Sequence, residues 1–128
     1  MKIVLLYSAI LTFLFVYLSM RTISLRRRLK ISIGHSENAE MLRAIRAHSN
    51  FSEYTPLALL LLGFLEFYQT PTLVLHALGI CLTLGRFLHA YGVSQVHENF
   101  KFRVSGMMMT FTYLITTSCI LLYYFFAK

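Results

Sequence analysis

Arg43, Arg46, Asn50 and Glu53 follow one another at intervals of three, four and three residues. At about 100° per residue, that spacing gathers two guanidiniums, an amide and a carboxylate within a helical arc of roughly 80°. Tyr54 lies just beside the arc, and Leu57, Leu60 and Phe64 continue the same face. The strip is charged at one end and apolar at the other, so it matches a ligand with a charged part and a greasy part. A purely structural reading is also open, in which Arg46 pairs with Glu53 or Glu40 and Asn50 bridges helices. Ionisable groups at membrane depth are costly unless paired or facing a cavity, which makes them candidates for function. A second, fainter cluster places Thr83, Arg86 and His89 on one face, with Gly85 and Gly92 allowing close backbone approach. Arg86 cannot shed its charge. Arginines from two helices near one membrane face suggest an anion site. No His-x-x-His, His-x-x-x-His or Glu-x-x-His cluster occurs, so no metal site is expected.

The elements that must carry these residues follow from composition. Of 128 residues, 57% are hydrophobic and only 13% charged, against about 25% charged in an ordinary soluble domain. Uncharged or nearly uncharged apolar stretches predict membrane spans over about 3–20, 48–68, 72–93 and 106–126. The second is long enough only if its helix includes the charged strip. Only helices or closed barrels satisfy the backbone in lipid, and the alternation of barrel strands is missing. The expected architecture is therefore all-α, a single transmembrane four-helix bundle over 1–128. YLSMR, after the first span, lacks a small-x-small cleavage site, so the first helix is expected to be retained. Helices are predicted from near Lys2 to about Arg28, from about Glu37 to Tyr68 with Pro56 inside, from Pro71 to about Val93, and from near Arg103 onward. Tyr123 and Tyr124 would form an interfacial belt.

The net charge of +7 is unevenly placed. Arg21, Arg26, Arg27, Arg28, Lys30, Arg43 and Arg46 follow the first span, Lys101 and Arg103 precede the fourth, and the connection EFYQTP has no positive charge. The positive-inside rule then puts both basic connections in the cytoplasm and both termini on the far side. Anionic headgroups are a further expected partner of the basic run. Nucleic acid is not, because the run abuts a span and no recognisable binding module surrounds it. Cys81 and Cys119 fall in predicted spans and form no CxxC pattern, which suits small core residues.

The stretch Arg43-Ala-Ile-Arg46-Ala-His48-Ser-Asn50-Phe-Ser-Glu53-Tyr54-Thr-Pro56 closely resembles the signature of the MAPEG family, the membrane-associated proteins of eicosanoid and glutathione metabolism. Arg26-Arg27 with Lys30-Ile31-Ser32 resembles the basic end of that family's first helix, and Gly85-Arg86-Phe87-Leu88-His89-Ala90 its third-helix motif. Nearly the whole chain is covered, in order. The resemblance implies a homotrimer that binds glutathione as co-substrate at each subunit interface, open to the cytosol. It assigns glutathione to Arg46, Asn50, Glu53 and Tyr54, joined by Arg26, Arg86, His89 and Arg103. His48 also aligns with a ligand position, although helical phase turns it away from Arg46. The catalytic arginine corresponds to Arg103, with Lys101 as the rival if the alignment slips, and Arg27 to a helper.

The implied chemistry suits the residue types. Arginines hold the two carboxylates of glutathione, Glu53 takes its ammonium and Asn50 a backbone amide. A guanidinium at Arg103 favours the thiolate, which is the nucleophile. The thiolate would attack a lipophilic electrophile from the bilayer or reduce a hydroperoxide. His89 and Val93 stand where better-characterised members carry tyrosines, which bears on glutathione affinity. A non-catalytic adaptor or lipid-binding relative is the alternative. A small drug exporter fits poorly, since the first helix lacks the membrane-embedded acid such exporters use. The short connections favour a bacterial inner membrane, or the endoplasmic reticulum in a eukaryote.

Overall fold

The computed structural model describes residues 2–127, which form four α-helices: α1 (Ile3–Leu29), α2 (Ala39–Phe67), α3 (Thr72–Ser94) and α4 (Phe100–Ala127). No strand occurs among the described residues. Helices α1, α3 and α4 are each long and apolar enough to cross a membrane. In α2 the charged strip occupies the first half, and the helix continues through Pro56.

The helix ends follow local chemistry. Lys30, in the left-handed conformation at φ 54°, stops α1, and the Ile31 amide returns to the Arg26 carbonyl at 3.0 Å. Ser36 and Glu37 also have positive φ, which delays α2 beyond the expected Glu37. Asn38 caps it instead, its side chain accepting the Met41 amide at 2.9 Å. Helix α4 begins at Phe100, ahead of the expected Arg103, because the Asn99 side chain accepts the Lys101 amide at 3.0 Å.

Helices α2 and α3 pack together at the centre, each also touching α1 on one side and α4 on the other, while α1 and α4 do not meet. Leu11, Leu18, Leu62, Leu65, Leu82 and Tyr113 fill the shared core. The α3–α4 contact is tightest. A Cβ on Gly92 would lie 2.6 Å from the Arg103 nitrogen, and one on Gly106 would run into the His89 backbone. These glycines bring the His89 and Arg103 segments side by side.

The end remote from the basic residues has its own fastening. The Glu66 carboxylate, at the end of α2, accepts the amides of Lys2, Ile3 and Val4 at 2.5, 2.9 and 2.9 Å, closing the first turn of α1. Tyr7 reaches from α1 to α3, its hydroxyl 3.0 Å from His76 Nδ1. Tyr68 stacks on Tyr124 with centroids 5.8 Å apart.

Candidate functional site

The first half of α2, the last turns of α3 and the start of α4 enclose a cleft of about 620 Å³ at the basic end of the bundle. Arg43, Arg46 and Asn50 line it from α2, His89 and Val93 from α3, and Arg103, Met107 and Phe111 from α4. The three-four-three spacing thus brings its first three members to one cavity, and the glycine-mediated contact supplies the opposite wall.

Arg86 lies beneath, only 1% exposed. Its Nη1 donates to Asn50 Oδ1 at 2.9 Å, its Nε to Thr110 Oγ1 at 3.1 Å, and its Nη2 faces the Met107 sulfur at 3.7 Å. The guanidinium carbon sits 5.5 Å from the centre of the Tyr54 ring. Each of these partners is neutral, so a whole positive charge stays uncompensated under the cleft. Burying such a charge costs several kcal/mol before its contacts are counted. The electrostatic result is a floor that favours an anion above it.

The other residues singled out by sequence divide clearly. Arg46 is exposed to the cleft and makes no hydrogen bond or ion pair among the described residues; neither Glu40 nor Glu53 pairs with it. Glu40 instead meets Arg28 at 2.6 Å. Glu53 is exposed on α2 with no ion pair among the described residues and does not line the cleft. Tyr54 packs edge-on against Phe111. His89 is buried, and its Nδ1 lies 3.1 Å from the Arg103 carbonyl. A carbonyl only accepts, so Nδ1 carries the proton and Nε2 is left as an acceptor in the neutral ring. Three residues lie elsewhere in the chain. His48 turns to α1 and meets Ser19 Oγ at 2.9 Å. Arg26 ties down the following loop through the Gly34 carbonyl at 3.0 Å. Arg27 is exposed on α1 and does not line the cleft.

Glu98 was not legible as a site residue. It lies in the short connection between α3 and α4, with a side chain only 6% exposed between two arginines. Its Oε1 accepts from Arg43 Nη2 at 3.3 Å and from Arg103 Nη1 at 3.2 Å. Its Oε2 is 3.0 Å from Arg43 Nη1, close enough for an ion pair but without a hydrogen-bonding angle. The hydrogen bond from Arg43, then the charges of Arg43 and Arg103, outweigh burial and hold this carboxyl below the usual carboxylate range. A carboxylate of the chain itself thus links two arginines of the cleft wall, without lining the cleft. The only sequence signal was a lone acid between two basic segments, and a connection offers no periodicity to rank it.

A pH dependence follows. Because the folded-state carboxyl is depressed, its stabilisation is complete above the unfolded value near 4.3 and is lost as pH falls through the lower folded value. Glu98→Gln is expected to lose that contribution already at neutral pH, about 1 kcal/mol for partly exposed pairs. Amide hydrogen exchange in residues 95–99 should then be faster in the variant at pH 7 and converge with the wild type in strong acid.

Residues 4–123 match the model of the MAPEG family. Two curated proteins are also similar, both called inner membrane protein YecN, from Escherichia coli strain K12 and from Escherichia coli O6:H1 strain CFT073. Each is 34% identical over 110 residues, covering 86% of this chain and 82% of its own.

Proposed function

This chain belongs to the MAPEG family, and from that premise we propose that it binds glutathione in the cleft between α2, α3 and α4 and activates its thiol. The observation that carries the reading is the unneutralised cationic cluster. Among the described residues, Arg46 has no partner at the cleft wall and Arg86 has no acid partner beneath it. Glutathione brings two carboxylates to such a site, with charge-assisted hydrogen bonds to arginine worth about 1.5–3 kcal/mol each.

In this reading Arg103, half exposed at the cleft edge, stabilises the thiolate after its proton leaves to solvent. The sulfur then forms a bond to an electrophilic carbon while the leaving group departs with its electron pair. With a hydroperoxide, two glutathiones are oxidised to the disulfide as the peroxide becomes alcohol and water. The lipophilic co-substrate enters over Met108 and Phe111, exposed beside the cleft on α4. Glu53 and Arg27, whose side chains have no hydrogen bond or ion pair among the described residues, are completed by neighbouring subunits of a homotrimer. The inner membrane named for the two relatives, with termini away from the cytoplasm, fits the basic end being cytosolic.

Calorimetric titration of the detergent-solubilised protein with glutathione tests the proposal. Arg46→Ala should leave helical content unchanged and weaken binding about tenfold to a hundredfold, the worth of one charge-assisted contact. Absence of heat at millimolar glutathione would overturn it. The pairing of Glu98 with Arg103 favours a second reading, a non-catalytic relative whose cationic cleft is permanently satisfied from within. Wild-type protein that takes up no glutathione and shows no turnover, with binding appearing only in Glu98→Gln, would support that one.

A further inference from the structure

A larger hollow, of about 890 Å³, lies on the opposite flank of the bundle between α1 and α3. It shares no lining residue with the cleft described above. Phe13 and Tyr17 on α1 face Phe87 and Tyr91 on α3, all four open to the surroundings at 45–78% exposure. Each pair is spaced by four residues, so the rings form two parallel walls running along the membrane-spanning part of the helices. Arg21 closes the polar end, one further helical step along α1 and the first charged residue after the uncharged run Ile3–Met20. It therefore sits at the depth where headgroups begin.

The Arg21 guanidinium is already oriented. Its Nη1 donates to Ser94 Oγ at 2.6 Å and its Nη2 to the Ser94 carbonyl at 3.1 Å. Both partners are neutral, and its other N–H groups remain to be used. No carboxylate lies within ion-pair distance of it among the described residues. Glu40 also borders the polar end, but Arg28 neutralises it at 2.6 Å. With His97 neutral, this end carries a net charge of one positive unit, held by a side chain that is fixed before any ligand arrives.

We propose that the α1–α3 groove is a binding site for a monoanionic glycerophospholipid, its phosphodiester on Arg21 and its acyl chains between the aromatic walls. Charge selects the occupant: one unneutralised guanidinium matches one phosphodiester carried by an uncharged headgroup. The walls select against a soluble anion, because they extend from Arg21 into the apolar depth. A second copy of the chain fits less well. Of its five acids, Glu40 and Glu98 are paired, Glu66 fastens the remote end, and Glu53 lies well along α2; the fifth, Glu37, is exposed in the short connection before α2 and brings no apolar chain to run between the walls.

The site is independent of glutathione and is tested without it. The full chain in neutral detergent is mixed with phosphatidylglycerol or phosphatidylcholine, and bound lipid is counted by native mass spectrometry. Wild type should retain phosphatidylglycerol about tenfold over phosphatidylcholine. Arg21→Gln should lose that preference, while Lys30→Gln, which removes one positive charge from an exposed side chain that neither lines the groove nor pairs with Glu40, should keep it. No preference in wild type, an equal loss in both variants, or a preference that survives in Arg21→Gln would overturn the site. Should Arg21→Gln fail to fold, photoreactive phosphatidylglycerol on wild type decides. Labelling of the α1 and α3 walls supports the proposal. Labelling confined to other faces, or cross-links joining two copies through the groove, overturns it.

Discussion

Arg103→Ala should slow glutathione conjugation of an activated aryl halide about tenfold to a hundredfold at pH 7. Removing one fully enclosed electrostatic stabiliser typically costs about a hundredfold to a thousandfold. Arg103 is 48% exposed and already shares Glu98 at 3.2 Å, so solvent and an internal counter-charge reduce the figure. The loss should fall on turnover more than on glutathione affinity, because Arg46 and Arg86 remain to attract the carboxylates. It should also shrink as pH rises toward the thiol's ordinary value near 8.5, where thiolate forms without help. A variant with wild-type turnover and an unshifted pH profile would remove Arg103 from the mechanism.

The second large effect concerns Arg86, where charge and volume separate. Arg86→Ala leaves a void beneath the cleft and removes the partner of Asn50 Oδ1. A cavity together with a lost charged hydrogen bond is expected to cost on the order of 3 kcal/mol, a fall of roughly 10 °C in thermal midpoint for a chain of this size. Arg86→Met refills most of the volume and no longer buries an uncompensated charge. Thr110 keeps its own bond to the Gly106 carbonyl at 2.9 Å. The relief of desolvation and the orphaned amide then nearly cancel, and the midpoint should stay within a few degrees. Both variants should lose glutathione affinity alike. Equal destabilisation by Ala and Met would mean that the charge itself holds the bundle together.

Much of this architecture is legible in the sequence. The apolar runs, extended by the cap and turn residues that flank them, place the starts of all four helices to within three residues, whereas the runs alone stop nine residues short of the end of α1 and of the start of α2. The α2 strip was readable because periodicity alone puts Arg43, Arg46 and Asn50 on one face. The same periodicity turns His48 away from Arg46, and the structure shows that it meets Ser19 on α1 instead. Asn50 shows the limit of that approach. Its spacing allowed either a bridge between helices or a place at the cleft, and the structure gives it both, through Arg86 and through its lining position. Glu98 and Gly106 escaped for different reasons. A loop acid has no phase to reveal its direction. A lone glycine at the start of α4 shows nothing of itself until the crossing with α3 is known. The fastening by Glu66 is the longest-range case, since no local pattern links residue 66 to the amides of residues 2–4.

That fastening also bears on how the protein is made. The opening amides of α1 find their acceptor 62 to 64 residues further along the chain. Until the ribosome has released Glu66 and α2 has come alongside, those amides must rely on water and interfacial groups. The first two helices therefore mature as a hairpin, and the first turn of α1 reaches its final bonding only once the end of α2 is in place.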